Sequence, residues 1–335
     1  MRTTLEALLA LDVPLLADGA TGTNYFDMGL GPGEPPELWN IEQPDKVRQL
    51  HQEFVDAGAD IILTNTFGCN RFRLKLHNAE DRATEIAERA ARIASEVAEA
   101  AGRAVLVAGS VGPTGELLEP LGSMTEQGAI EAFIEEIEGL KAGGADVAWI
   151  ETKSAAQEMR AAALAAIAVG LPYTVTASFD TAGRTMMGLR PTELIDVFAD
   201  LSVRPMAIGA NCGVGASDLL LAIQQMRNVE TVIIAKSNCG VPQFRGTEIE
   251  YSGNPELMGH YATLAVDSGA RIVGGCCGTS PVHLAEMRNQ LDHYQPGEMP
   301  SVEHIVATTG PLTNAISVVA DPNADAAPRR RRRRD

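Results

Sequence analysis

"DAGADIILTNTFG", residues 56–68, joins the end of a helix, a short strand and a polar tip in one stretch. Gly58 follows an amphipathic run and suits the left-handed position just past a helix C-terminus. Ile61–Leu63 are continuously apolar, as a short strand covered on both faces requires. Asn65 and Thr66 then supply polar groups where that strand would end. The same wording recurs as "AGGADVA" (142–148) and "DSGARIV" (267–273). A repeated passage from helix through glycine into a buried strand is the signature of βα units.

Such runs recur along the whole chain. They are "VPLLADGATG" (13–22), "ADIILTNTFG" (59–68), "AVLVAGSVGPTG" (104–115) and "ADVAWIET" (145–152). "PYTVTASFD" (172–180), "PMAIGANCG" (205–213), "TVIIAKSNCG" (231–240) and "ARIVGGCCG" (270–278) follow. Between them, 44–58, 125–144 and 255–269 place apolar residues at three- and four-residue spacing, the period of an amphipathic helix. Eight strand–helix units predict an α/β protein built as a (β/α)8 TIM barrel. Length alone would suggest about two domains, but single barrels are the standard exception. The expected division is a barrel over 1–296 and an extension with a disordered basic tail over 297–335.

Composition narrows the function. The chain is 45% hydrophobic and 21% charged with a net charge of −17, so nucleic acid is not expected as a partner. No apolar run reaches the roughly 18 residues of a membrane span. The N-terminus carries Glu6 and Asp12 and lacks a signal-peptide layout, so the expected location is the cytoplasm. Against the acidic body stands "RRRRRRD" (329–335), a tail able to dock an acidic protein. Five cysteines without a secretion signal point to reduced thiols rather than a disulfide framework.

In a barrel of this kind the strands' C-terminal ends gather at one mouth, where the chemistry resides. The predicted tips carry Asp18, Asn65, Thr66, Ser110, Glu151, Asn211, Cys212, Asn238, Cys276 and Cys277. Three thiols on the tips of the sixth and eighth strands are a candidate zinc site with an open fourth position. His283 falls inside the next helix and is not expected to supply that ligand. A metal with three thiolates is a poor Lewis acid but suits a fourth thiolate, so the pattern favours alkylation of a substrate thiol over hydrolysis. Two other readings stay open on the residues alone. Cys276–Cys277 could be a redox dithiol, or the zinc could be structural in a non-catalytic interaction module.

The ordered set "DGATGT" (18–23), "GADIILTNTFG" (58–68), "GSVGPTGE" (109–116), "ET" (151–152), "GANCGVG" (209–215) and "GGCCGT" (274–279) resembles the homocysteine S-methyltransferase family. The resemblance implies a zinc-dependent barrel that converts homocysteine to methionine. It implies Cys212, Cys276 and Cys277 as zinc ligands, and Asp18 and Glu151 as carboxylates for the substrate ammonium group. The backbone amides of Gly19, Ala20 and Thr21 would meet the substrate carboxylate, with Asn65, Thr66 and Asn211 as orienting groups.

Members of that family differ in methyl donor. Betaine users surround a quaternary ammonium with aromatic rings, and the corresponding positions here read Pro35, Gly68 and Thr152, with Trp39 out of register. "TNTFGCNRFRLKLH" (64–77) and "GPTGELLEPLGS" (112–123) are instead similar to the homocysteine module of cobalamin-dependent methionine synthase. The expected donor is therefore a methyl-corrinoid on a separate partner protein, with this chain as one component of a split methionine synthase. Betaine and S-methylmethionine are the alternatives. One departure stands out: "KSNCGVPQ" (236–243) replaces the family's "PNAG", which puts Cys239 near the predicted mouth.

Overall fold

The computed structural model describes residues 3–245 and 248–313. Among the described residues, ten strands form two sheets. The barrel strands are β1 (Leu15–Leu16), β2 (Ile61–Leu63), β3 (Leu106–Val111), β4 (Val147–Lys153), β5 (Tyr173–Ala177), β6 (Ala207–Cys212) and β7 (Val232–Ser237). A two-stranded hairpin, β8 (Pro242–Arg245) and β9 (Glu248–Tyr251), precedes the last barrel strand, β10 (Ile272–Gly275). All eight barrel strands pair in parallel, in the order β1-β10-β7-β6-β5-β4-β3-β2. The two ends of that list meet, because Ala17 bridges Ile61 and the Asp18 amide donates to the Ile61 carbonyl at 2.9 Å. The fold is the expected (β/α)8 barrel.

The strands are shorter than the apolar runs that announced them. β2 leaves the ladder where the chain turns polar at Thr64, whereas β3, β4, β6 and β7 carry Ser110, Glu151, Asn211 and Lys236 within their strands. Inside the barrel, Leu15, Ala17, Ile61, Leu63, Leu106, Ala108, Val147, Trp149, Ala207, Ile234 and Ile272 form one buried cluster. Leu5 and Leu8 of the short N-terminal helix Leu5–Leu9 join it at the strands' N-terminal ends and close that side.

A second, larger cluster lies between strands and helices. Helix Pro44–Asp56 shows how it is built. Pro44 occupies the first turn, where its missing N–H costs nothing. Val47, Leu50, Phe54 and Val55 then line the buried face, each full burial contributing about 1.5–3 kcal/mol. Helices Glu126–Gly143 and Pro255–Asp267 coincide with the other two periodic segments.

The extension contains one helix that periodicity did not announce, Val302–Thr309. Ile305 is fully buried, and the Ser217 hydroxyl donates to the Gly310 carbonyl at 2.5 Å, fastening this helix to the barrel. The arginine tail, 329–334, lies outside the described residues. Among the described residues no helix is long and apolar enough to cross a membrane.

Candidate active site

Three strand ends bring the thiols together. β6 closes on Cys212, whose φ of 60° is rare for a residue with a Cβ, and Gly213 continues the turn at φ 74°. β10 stops at Gly275, so Cys276 and Cys277 lie on a turn rather than on a pleated strand. Adjacent thiols on a strand would face opposite ways; here the turn aims both at Cys212. The Cys276 amide donates to the Ser237 carbonyl at 2.7 Å, and the Cys239 amide donates to the Cys277 carbonyl at 2.9 Å.

The glycines permit that turn. A Cβ on Gly275 would lie 2.2 Å from the Thr279 side chain. Gly278 has φ +79°, and a Cβ there would meet the Tyr251 ring at 2.5 Å.

The three Sγ atoms all lie within 4.8 Å of one another, each partly buried. Ligands about 2.3 Å from a tetrahedral zinc ion would stand roughly 3.8 Å apart, so this donor set fits zinc in both softness and spacing. Hydrogen bonds from Cys212 and Cys276 pull the Cys277 thiol well below its ordinary range. The same contacts push Cys212 upward. Three sulfurs this close cannot all ionise without a cation among them. Tyr251, which the motifs did not single out, hydrogen-bonds Cys277.

Cys239 stands apart. It is buried in the large apolar cluster and is not one of the three grouped sulfurs; burial pushes its thiol up to about 12. His283 is likewise elsewhere: its Nδ1 lies 2.8 Å from the Ser280 hydroxyl and caps helix Pro281–Asp292.

Two carboxylates flank the thiols, in different states. Glu151, on β4, accepts from the Ser110 hydroxyl at 2.6 Å through Oε1, while Oε2 has only a long contact of 3.4 Å from Asn211 Nδ2. Burial, reinforced by the charge of Cys276, raises Glu151 to about 7. Asp18 is sealed from solvent, with Oδ1 2.8 Å from the Lys236 ammonium and Oδ2 accepting from the Leu63 amide at 2.7 Å.

The remaining predicted residues divide. Asn211 is central: Nδ2 also reaches Cys276 Sγ at 3.8 Å and Thr152 Oγ1 at 2.7 Å, while Oδ1 accepts from Thr176. Thr66 donates to the Ser110 carbonyl, and Asn65 donates to the Pro36 carbonyl and to Asn40. The polar side-chain groups of both hold loop backbone and neighbouring side chains. In the turn ahead of helix Gly22–Asp27, the Ala20 amide donates to the Thr279 carbonyl at 3.0 Å. Gly19 is there because a Cβ would strike that same carbonyl at 2.4 Å. Trp39 is buried, 5.2 Å from the Tyr25 ring, with the Lys46 ammonium 4.5 Å from its centroid.

A parallel barrel with three thiols grouped at its mouth and a buried carboxylate beside them has the layout of an enzyme active site. Comparison with known proteins gives the family. The family model for homocysteine S-methyltransferase matches residues 15–291, and the chain belongs to that family. It is 29% identical over 329 residues to a methionine synthase of Mycobacterium leprae and 31% identical over 291 residues to that of Mycobacterium tuberculosis. Those matches cover 92% and 82% of this chain but only 27% and 24% of the relatives, so the chain spans about a quarter of their length. The fold also superimposes on the Escherichia coli homocysteine methyltransferase MmuM. Its metallated form gives a TM-score of 0.72 at 22% identity, covering 85% of this chain and 99% of that one. The oxidized form gives 0.73.

Proposed function

We propose that the barrel mouth binds homocysteine and forms methionine with a methyl group taken from a methyl-corrinoid. Cys212, Cys276 and Cys277 would hold a zinc ion there. That ion's chemistry is to keep the substrate thiol deprotonated at neutral pH, where a free thiol with a pKa near 8.5 is mostly protonated. The observation that carries this reading is the trio of sulfurs within 4.8 Å, with no fourth protein ligand grouped with them among the described residues.

The chain's own groups supply orientation. Glu151 receives the substrate ammonium through Oε2, whose one contact is the long one from Asn211. The amides of Gly19 and Thr21 meet the substrate carboxylate, since that of Ala20 is engaged. Asn211 sets the angle of Glu151 relative to Cys276. The substrate sulfur's electron pair forms the new carbon–sulfur bond as the methyl–donor bond breaks. That bonding pair stays with the donor, and the thiol proton passes to solvent.

The corrinoid assignment is supported by likeness to methionine synthases and by the absence of aromatic residues at Pro35, Gly68 and Thr152. Trp39, the nearest substitute, already has a lysine on its face. The carrier would be a corrinoid-bearing unit outside residues 1–335, and the arginines at 329–334 are suited to draw an acidic carrier. The test supplies zinc-loaded protein and homocysteine with methylcobalamin, betaine or S-methylmethionine separately and measures methionine. Methionine from methylcobalamin alone is expected; faster formation from either other donor would overturn the corrinoid assignment.

A further inference from the structure

Lys236 sits near the end of β7 with only 1% of its surface exposed, directly after the apolar run Val232–Ala235. An ammonium is buried so deeply only when it is fully paired. Its partner is Asp18, 218 residues away in sequence: Nζ lies 2.8 Å from Oδ1 and 3.0 Å from the Asp18 carbonyl. The same carbonyl also accepts from the Gly275 amide at 3.0 Å, one residue before Cys276. Lys236 therefore ties β7 and β1 to the turn that carries two of the thiols.

The pairing also settles which carboxylate has room for another cation. Both Asp18 oxygens are engaged and its side chain is wholly buried. Glu151, 7% exposed against 0% for Asp18, keeps one oxygen with a single long contact. We propose that Lys236 is a positioning residue that occupies Asp18 as an internal cation, leaving Glu151 alone to receive the substrate's α-ammonium. Asp18 then acts through the geometry of the thiol turn rather than by touching substrate. The inference rests on the homocysteine reading given above.

The test compares homocysteine with 4-mercaptobutanoate, which differs only in lacking the ammonium. Dissociation constants are measured by calorimetry on zinc-loaded protein, alongside kcat and KM. Wild-type protein is expected to prefer homocysteine by about 10- to 100-fold, the range of a charge-assisted hydrogen bond. Glu151→Gln is expected to lose that preference. The double variant Lys236→Met/Asp18→Asn removes the buried pair together, so no lone charge is stranded. It is expected to keep the preference to within about threefold while kcat falls. Lys236→Met in the Glu151→Gln background frees Asp18, and the preference is expected to return, which a purely structural lysine would not produce. Loss of the preference in the double variant overturns this inference alone. A wild-type protein that binds neither thiol overturns the homocysteine reading and this inference with it.

Discussion

Asn211 and Thr152 hold each other in a closed pair. The Thr152 amide donates to Asn211 Oδ1 at 2.8 Å, and Asn211 Nδ2 donates to Thr152 Oγ1 at 2.7 Å. Each stands beside a proposed site residue, Cys212 and Glu151 respectively. Thr152 and Cys212 both adopt positive φ, 58° and 60°. The pair thus locks two strand ends that have left regular geometry. Asn211→Ala is expected to weaken zinc binding by about 10- to 100-fold, the usual cost of losing a group that orients metal ligands. Competition with a chromophoric chelator measures it; an unchanged affinity would show the pair is dispensable.

The thiols are expected to separate cleanly by role. Cys212→Ala, Cys276→Ala and Cys277→Ala should each purify with little zinc, while Cys239→Ala should retain one zinc per chain. Metal analysis of the four proteins checks this. Zinc loss in Cys239→Ala would place that thiol in the metal site after all.

Gly278 tests the turn itself. With φ +79° and the Tyr251 ring 2.5 Å from where a Cβ would sit, Gly278→Ala is strained by both backbone and contact. A loss of about 1–3 kcal/mol in unfolding free energy is expected, together with weaker zinc binding. Denaturant titration with zinc present and absent separates the two effects.

His51 supplies a pH dependence away from the site. It is fully buried on helix Pro44–Asp56, and neither ring nitrogen has a hydrogen-bond partner. Burial first, and the nearby Arg48 second, lower it to about 4. The unfolded chain then binds the proton more readily, so His51's contribution is complete above pH 6.5 and is lost as pH falls toward 4. From 6.5 to about 4 that amounts to roughly 3 kcal/mol. His51→Leu should flatten the fall in Tm between pH 7 and pH 5 relative to wild type. An identical fall in both proteins would contradict the assignment.

The barrel was legible because each βα unit carries its own local signals: Gly58 after a helix, Ile61–Leu63 in a strand, polar residues at the tip. The thiol trio was legible for the same reason, since a strand end is a position in a known architecture. Lys236 was not singled out as functional, although a lysine inside "TVIIAKSNCG" was the available signal. A buried ammonium demands compensating partners, and only barrel closure shows that for Lys236 they include Asp18. Tyr251 was hidden because the β8–β9 hairpin that delivers it interrupts the βα rhythm. Helix Val302–Thr309 was missed because only Ile305 and Thr309 are buried, too few to make a periodic stripe.

The central claim is that the three sulfurs at the mouth leave a place for the sulfur of the substrate. Zinc-edge X-ray absorption on the zinc-loaded protein tests it most directly. Three sulfur neighbours are expected without homocysteine and four with it. A sulfur count that homocysteine leaves unchanged would contradict the claim.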